Sequence, residues 1–243
     1  MSTINIYSPI YHRFAKTKIA IESVISSLKN SEHDVKLFLG VNGIEGDKNG
    51  EMFTWLNSLD SDNVKVFYAK KNIGKAAIIN EMYKNTRKAE YFISIDSDME
   101  AIHEAEYNWI DEGVKTLTSN QQFFGVLSTF QEGNNCHLLD KQNSKIGTIL
   151  YGTFWGIAGG CIFLITKDFE RMGLYTVFDV YNGDDAFIMR KCKEILRKEV
   201  GITSNVSLKH IENYENEDRY QEWKIKKCTG QLPCGSGAKG YYD

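Results

Sequence analysis

The chain has 243 residues, of which 42% are hydrophobic and 25% charged, and a net charge of −3 at neutral pH. That length and balance suit one soluble globular domain whose core needs no covalent staples. The weakly negative charge gives no electrostatic reason to expect nucleic acid or an anionic membrane as the main partner, leaving only a local basic patch open.

Two prolines and no Pro-rich linker favour one compact unit. No stretch approaches the about 20 apolar residues of a membrane span. The start, MSTINIYSPIYHR, lacks the charged-then-apolar pattern of a signal peptide. The cysteines Cys136, Cys161, Cys192, Cys228 and Cys234 are odd in number and none is spaced CxxC, so they are expected to be reduced thiols of a cytoplasmic protein.

In chain order, apolar runs alternate with helical patterns. Strands are predicted at 4–9, 35–42, 64–70 and 91–98, and helices at 15–29, 51–59 and 75–88. This β-α-β-α-β-α-β series implies a mostly parallel sheet covered on both faces. The second half is less regular. Helices are predicted at 104–118 and 184–199, strands at 123–130 and 159–167, and an extended segment at 201–210. The charged stretch ENYENEDRYQEWK reads as a solvated helix. The glycine-rich end, 228–243, reads as a tail beyond a single catalytic domain over 1–227.

The stretch YFISIDSDME carries an apolar strand straight into Asp96 and Asp98. Ligands of open α/β sheets bind beyond the carboxyl ends of strands. In extended backbone, residues two apart point the same way, so both carboxylates are expected to face one site. A hard cation, Mg²⁺ or Mn²⁺, suits one or two carboxylates completed by phosphate oxygens and water. A surface turn built from Asp-Ser-Asp is the competing explanation. The haloacid-dehalogenase type of phosphatase also places Asp-x-Asp after a strand, but Met99 and Glu100 break its pattern.

SPIYHR after the first strand, KKNIGKAAIIN after the third, Asp-Ser-Asp after the fourth, then GIAGGCIFLITK and YNGDDAFIMR, in this order, resemble the family-2 glycosyltransferases. The resemblance covers about residues 3–210. It implies the GT-A (nucleotide-diphospho-sugar transferase) fold, an α/β class with a mostly parallel central sheet flanked by helices. It also implies a metal-dependent, inverting transfer from a nucleotide-diphosphate sugar, with a UDP-sugar favoured, to an acceptor hydroxyl. The sequence departs from the family at Asn42, where an acid often binds the nucleobase, and at His12, where asparagine is common. The acidic pair is Asp184-Asp185 rather than Glu-Asp.

By this resemblance Asp98 holds the cation, Mn²⁺ or Mg²⁺. Asp96 touches the donor ribose or sugar, or a metal-bound water. Asp185 is the expected catalytic base and Asp184 the alternative; helix capping explains one of these two acids without chemistry. Pro9, Tyr11 and Arg13 belong to the turn that lines the nucleotide pocket, with Asn42 toward the base. Asn72, Gly74 and Lys75 open a helix, with Lys75 either on a phosphate or nucleotide or simply solvated. Gly159 and Gly160 lie beside donor sugar and acceptor, or form a bulge. Trp155 stacks on a sugar or fills the core. His210 completes the metal site or is an exposed histidine at a strand end.

Two rivals remain. A sugar-phosphate nucleotidyltransferase would carry a glycine-rich loop directly after strand one, and SPIYHRFAKTK has no glycine. A non-catalytic nucleotide-sugar-binding relative would bind donor without turnover. Acceptor identity and oligomeric state have no sequence signal.

Overall fold

A computed structural model describes residues 1–11, 13–43, 50–102, 107–131, 145–146, 149–151, 159–177 and 184–211. The order is β1 (Thr3–Ile10), α1 (Phe14–Leu28), β2 (Asp34–Asn42), α2 (Glu51–Leu59), β3 (Val64–Ala69), α3 (Lys75–Lys84) and β4 (Tyr91–Ile95). There follow β5 (Met99–Ala101), α4 (Trp109–Asn120), β6 (Phe124–Gln131), β7 (Lys145–Ile146), β8 (Ile149–Tyr151) and β9 (Cys161–Ile165). α5 (Thr166–Arg171), α6 (Asp184–Lys191), which continues as a π-helical turn (Cys192–Leu196), and β10 (Glu199–His210) complete the series.

The strands form one sheet in the order β3-β2-β1-β4-β9-β6-β10-β8-β7, with β5 added on β10. β1 runs parallel to β2 and β4, and β2 parallel to β3. β9 is antiparallel to both β4 and β6, while β6 and β10 are parallel. The sheet is mostly parallel and flanked by helices, as the sequence implied.

Strands buried on both faces explain the near-continuous apolar runs. Period-two alternation divides them between two cores. Ile4 and Ile6, Leu37 and Leu39, and Ile93 and Ile95 join Ile21 and Val24 of α1, Met52 and Leu56 of α2 and Trp109, Ile110 and Leu117 of α4. Tyr7, Phe38 and Phe92 face the other way, against Ile79, Met82 and Tyr83 of α3, Phe169 of α5 and Ile188 of α6. Phe92 stacks between Tyr7 and Phe169, at 4.9 and 4.1 Å between ring centroids. No helix among the described residues is long and apolar enough to cross a membrane.

Several boundaries differ from the sequence reading. α3 stops at Lys84, where the Asn85 side-chain amide donates to the Glu81 carbonyl, 2.8 Å, in place of a further helical turn. The strand predicted through Asp98 ends at Ile95, and a turn follows in which the Met99 N–H donates to the Asp96 carbonyl, 3.2 Å. Asp96 and Asp98 therefore sit in a turn, not in extended backbone. The strand predicted at 159–167 gives way at Thr166 to α5, whose first N–H donates to the Glu90 carbonyl, 3.0 Å. The helix predicted at 104–118 is α4, Trp109–Asn120. Cys161 and Cys192 are free, buried thiols. Cys136, Cys228, Cys234, His12, Trp155, the stretch from Glu212 to Lys224 and the tail 228–243 lie outside the described residues.

Candidate active site

The chain order sets where the site falls. β2 and β3 lie on one side of β1, and β4 lies on the other. Ligands of open α/β sheets bind at such a reversal, here at the carboxyl ends of β1 and β4. Tyr11 and Arg13 follow β1; Asp96, Ser97 and Asp98 follow β4.

Pro9 lies inside β1, opposite Gly40, rather than in the turn. The β1–β4 register ends at Tyr7–Ser94, so the missing Pro9 N–H falls where the flank toward β4 has already opened. Arg13 caps α1 with left-handed backbone, φ 57° and ψ 47°, and its side chain makes no capping hydrogen bond. The guanidinium instead meets Asp98, with Arg13 Nη1 3.1 Å from Asp98 Oδ2.

His210 Nε2 faces the same oxygen at 3.5 Å. Sheet pairing brings it there: β10 runs antiparallel to β5 with His210 opposite Met99, and the Ile211 N–H donates to the Asp98 carbonyl, 2.8 Å. Burial works against the Asp98 charge, yet the His210 hydrogen bond and the Arg13, His210 and Lys16 charges hold its carboxyl below the ordinary range. The same hydrogen bond raises the His210 imidazole, against the opposing effect of burial. Lys16, one helical turn beyond Arg13, is 4% exposed. Sequence reasoning passed over it, because a lysine on an amphipathic helix normally reads as solvated; its one signal is the i, i+3 spacing from Arg13.

The second cluster centres on Lys75. The loop before α3 positions it. Gly74 caps α3 at φ 90° and ψ 157°, a conformation that suits glycine. The Asn72 side-chain oxygen accepts from the Gly74 N–H at 3.0 Å, and the buried Asn42 side-chain oxygen from the Ile73 N–H at 2.8 Å. Asn42 thus ties the end of β2 to the start of α3. Lys75 Nζ lies 2.8 Å from Asp96 Oδ1, and 3.0 and 3.1 Å from the two carboxylate oxygens of Asp185. One ammonium spans the turn after β4 and the start of α6. Its unfavourable place at a helix N-terminus is offset by these two acids.

Gly159 and Gly160 close the floor. The Gly160 carbonyl accepts from the Asp96 N–H at 2.7 Å. A β-carbon on Gly159 would meet the Asp185 side chain. Cys161, beneath them, is pushed well above the ordinary thiol range by burial and by the Asp96 charge. Asp184 opens α6, and its side chain lies outside the described residues.

Of the residues expected to form a site, the structure joins Arg13, Asp98 and His210 in one cluster and Lys75, Asp96 and Asp185 in another. Gly159 and Gly160 link the two acids of the second. Asn42, Asn72 and Gly74 shape the loop that carries Lys75. Among the described residues no three or more His, Cys, Asp or Glu side chains converge as a ready metal cage. Asp98 and His210 supply one carboxylate and one imidazole, a donor pair suited to Mn²⁺ whose other positions fall to ligand oxygens and water.

Solved structures with the same architecture include GalNAc-T7 with UDP, GalNAc and Mn²⁺, at TM-score 0.69 and 13% identity over 98% of this chain and 53% of that one. Mannosyltransferase PcManGT from Pyrobaculum calidifontis, in complex with GDP-Man and Mn²⁺, matches at TM-score 0.66 and 14% identity over 93% of this chain and 60% of that one. The chain has the GT-A fold. It spans little more than half the length of these two proteins. No family model and no curated protein matches the sequence.

Proposed function

We propose that the protein is a metal-dependent glycosyltransferase that moves a sugar from a nucleotide-diphosphate donor, a UDP-sugar in the first instance, to an acceptor hydroxyl with inversion. The Lys75 bridge carries this reading. It brings Asp96, in the turn that carries Asp98, and Asp185, at the start of α6, within reach of one side chain. The two solved neighbours, whose names record UDP or GDP-Man together with Mn²⁺, support the donor class.

In this reading Asp98 and His210 hold the cation. A cation held there would supply positive charge to the diphosphate leaving group. Asp96 contacts the donor ribose or sugar, its backbone fixed by the Gly160 carbonyl. Pro9, Tyr11 and Asn42 border the nucleoside, and Asn72 and Gly74 aim Lys75. Positive charge gathers at the anomeric carbon in the transition state. The acceptor hydroxyl attacks from the face opposite the diphosphate, and the Asp185 carboxylate takes its proton. Lys75 sets where that carboxylate points.

A thermal-shift panel of UDP- and GDP-sugars, each with and without Mn²⁺, tests the reading. A true donor at a hundredfold excess over its Kd raises the midpoint by about 5–10 °C, and only with the cation present. Absence of a shift with every donor overturns it.

A further inference from the structure

The carboxylates that the proposed function assigns to the metal and donor are already engaged by cations of the chain. Asp98 Oδ2 alone faces two of them, Arg13 Nη1 at 3.1 Å and His210 Nε2 at 3.5 Å. A metal ion cannot take that oxygen while both remain. The two differ in freedom. His210 is fixed through its own backbone, by the β10–β5 pairing opposite Met99 and by the neighbouring Ile211 N–H on the Asp98 carbonyl. Arg13 reaches Asp98 from the junction between β1 and α1, on a long side chain attached to left-handed backbone that an arginine rarely adopts. Lys16 keeps positive charge buried beside Asp98 whether or not Arg13 stays. A guanidinium turned off Asp98 still stands beside the Lys16 charge, which favours an anion there, and its fork of donors matches paired phosphate oxygens.

We propose that Arg13 is a diphosphate-binding residue that occupies the metal's place until the donor arrives: its guanidinium holds Asp98, yields that carboxylate to the incoming divalent cation, and turns onto the diphosphate of the nucleotide. This rests on the donor-site reading above. It makes the cation a weak ligand by itself, since binding must break the Arg13–Asp98 pair. The nucleoside diphosphate then takes the guanidinium in place of Asp98, so the two ligands bind cooperatively.

Mn²⁺ binding to the full chain, followed by loss of the free-ion paramagnetic resonance signal, tests this with and without UDP or GDP. Arg13→Gly suits the left-handed backbone, and Arg13→Gln keeps the reach without the charge. Circular dichroism shows which variant is folded. In either, Mn²⁺ alone binds about tenfold tighter than in wild type, while the enhancement given by UDP or GDP falls about tenfold. Unchanged or weaker Mn²⁺ binding in the folded Arg13 variants overturns the proposal, as does an undiminished nucleotide enhancement. If wild type shows no Mn²⁺-dependent binding of either nucleotide and Asp98→Asn behaves identically, the donor-site reading itself fails, and this inference fails with it.

Discussion

A β-carbon on Gly159 would lie 2.0 Å from Cγ of Asp185 and 2.5 Å from its Cβ. Glycine at 159 is what lets the Asp185 side chain pack against the chain just before β9, where Lys75 holds it. The contact involves the root of the aspartate as well as its tip, so a rotamer change at the carboxylate end does not relieve it.

Gly159→Ala therefore displaces Asp185 and loosens its bridge to Lys75. The overpacking costs about 1–3 kcal/mol of stability, measurable by urea unfolding. If Asp185 is the base, turnover falls by about a hundredfold, while Mn²⁺-dependent nucleotide binding stays near wild type. An alanine variant with full turnover would remove Asp185 from the chemistry.

Lys75→Met leaves Asp96 and Asp185 facing each other without the ammonium between them. The three side chains are between a fifth and a third exposed, so solvent screens part of the loss. About 1 kcal/mol or less of stability disappears, and added salt narrows the difference. Adding Asp185→Asn to Lys75→Met restores part of it, because one of the two repelling charges is gone. Strictly additive effects in that double-mutant cycle would contradict the bridge.

The two described cysteines give a prediction for pH. Burial pushes Cys192 up to about 12 and Cys161 well above the ordinary thiol range. Both remain neutral thiols in the fold at pH 8.5, and peptide mapping after brief alkylation finds both unmodified until the protein is denatured. Each raised value also contributes stability that is complete below the ordinary thiol pKa. That contribution is lost as the pH climbs from there toward 12, because the unfolded chain ionises first. Urea midpoints of wild type therefore fall across that window, and Cys192→Ala flattens part of the fall. Rapid labelling of Cys192 in the native protein would contradict the packing seen around it.

The parallel half of the fold was legible because β1, β2 and β4 are largely buried on both faces and read as apolar runs, while β3, at the edge of the sheet, is more exposed. Asp96 and Asp98 were legible as acids at a strand end, though their geometry was not. A turn of polar residues looks like the continuation of a strand until the Met99 N–H is seen to close on Asp96. β5 is three residues long and exists only through pairing with β10, so no local pattern announces it. That pairing is also what carries His210 to Asp98, which explains why the sequence left its role open. α5 was hidden because the apolar run from Cys161 to Ile165 passes into Thr166 without a glycine or proline to mark the change. Lys16 was missed because burial of a lysine is decided by its tertiary neighbours, here Asp98 and the elements around it.

We propose that Asp98 and Asp185 serve donor activation and proton removal at one site. The direct measurement is release of nucleoside diphosphate from a panel of UDP- and GDP-sugars with Mn²⁺, in wild type, Asp98→Ala and Asp185→Asn, all verified as folded. Wild type is predicted to release nucleotide from at least one donor, Asp98→Ala to lose both release and Mn²⁺-dependent binding, and Asp185→Asn to keep binding while losing release. Full release by a folded Asp98→Ala protein would contradict the claim.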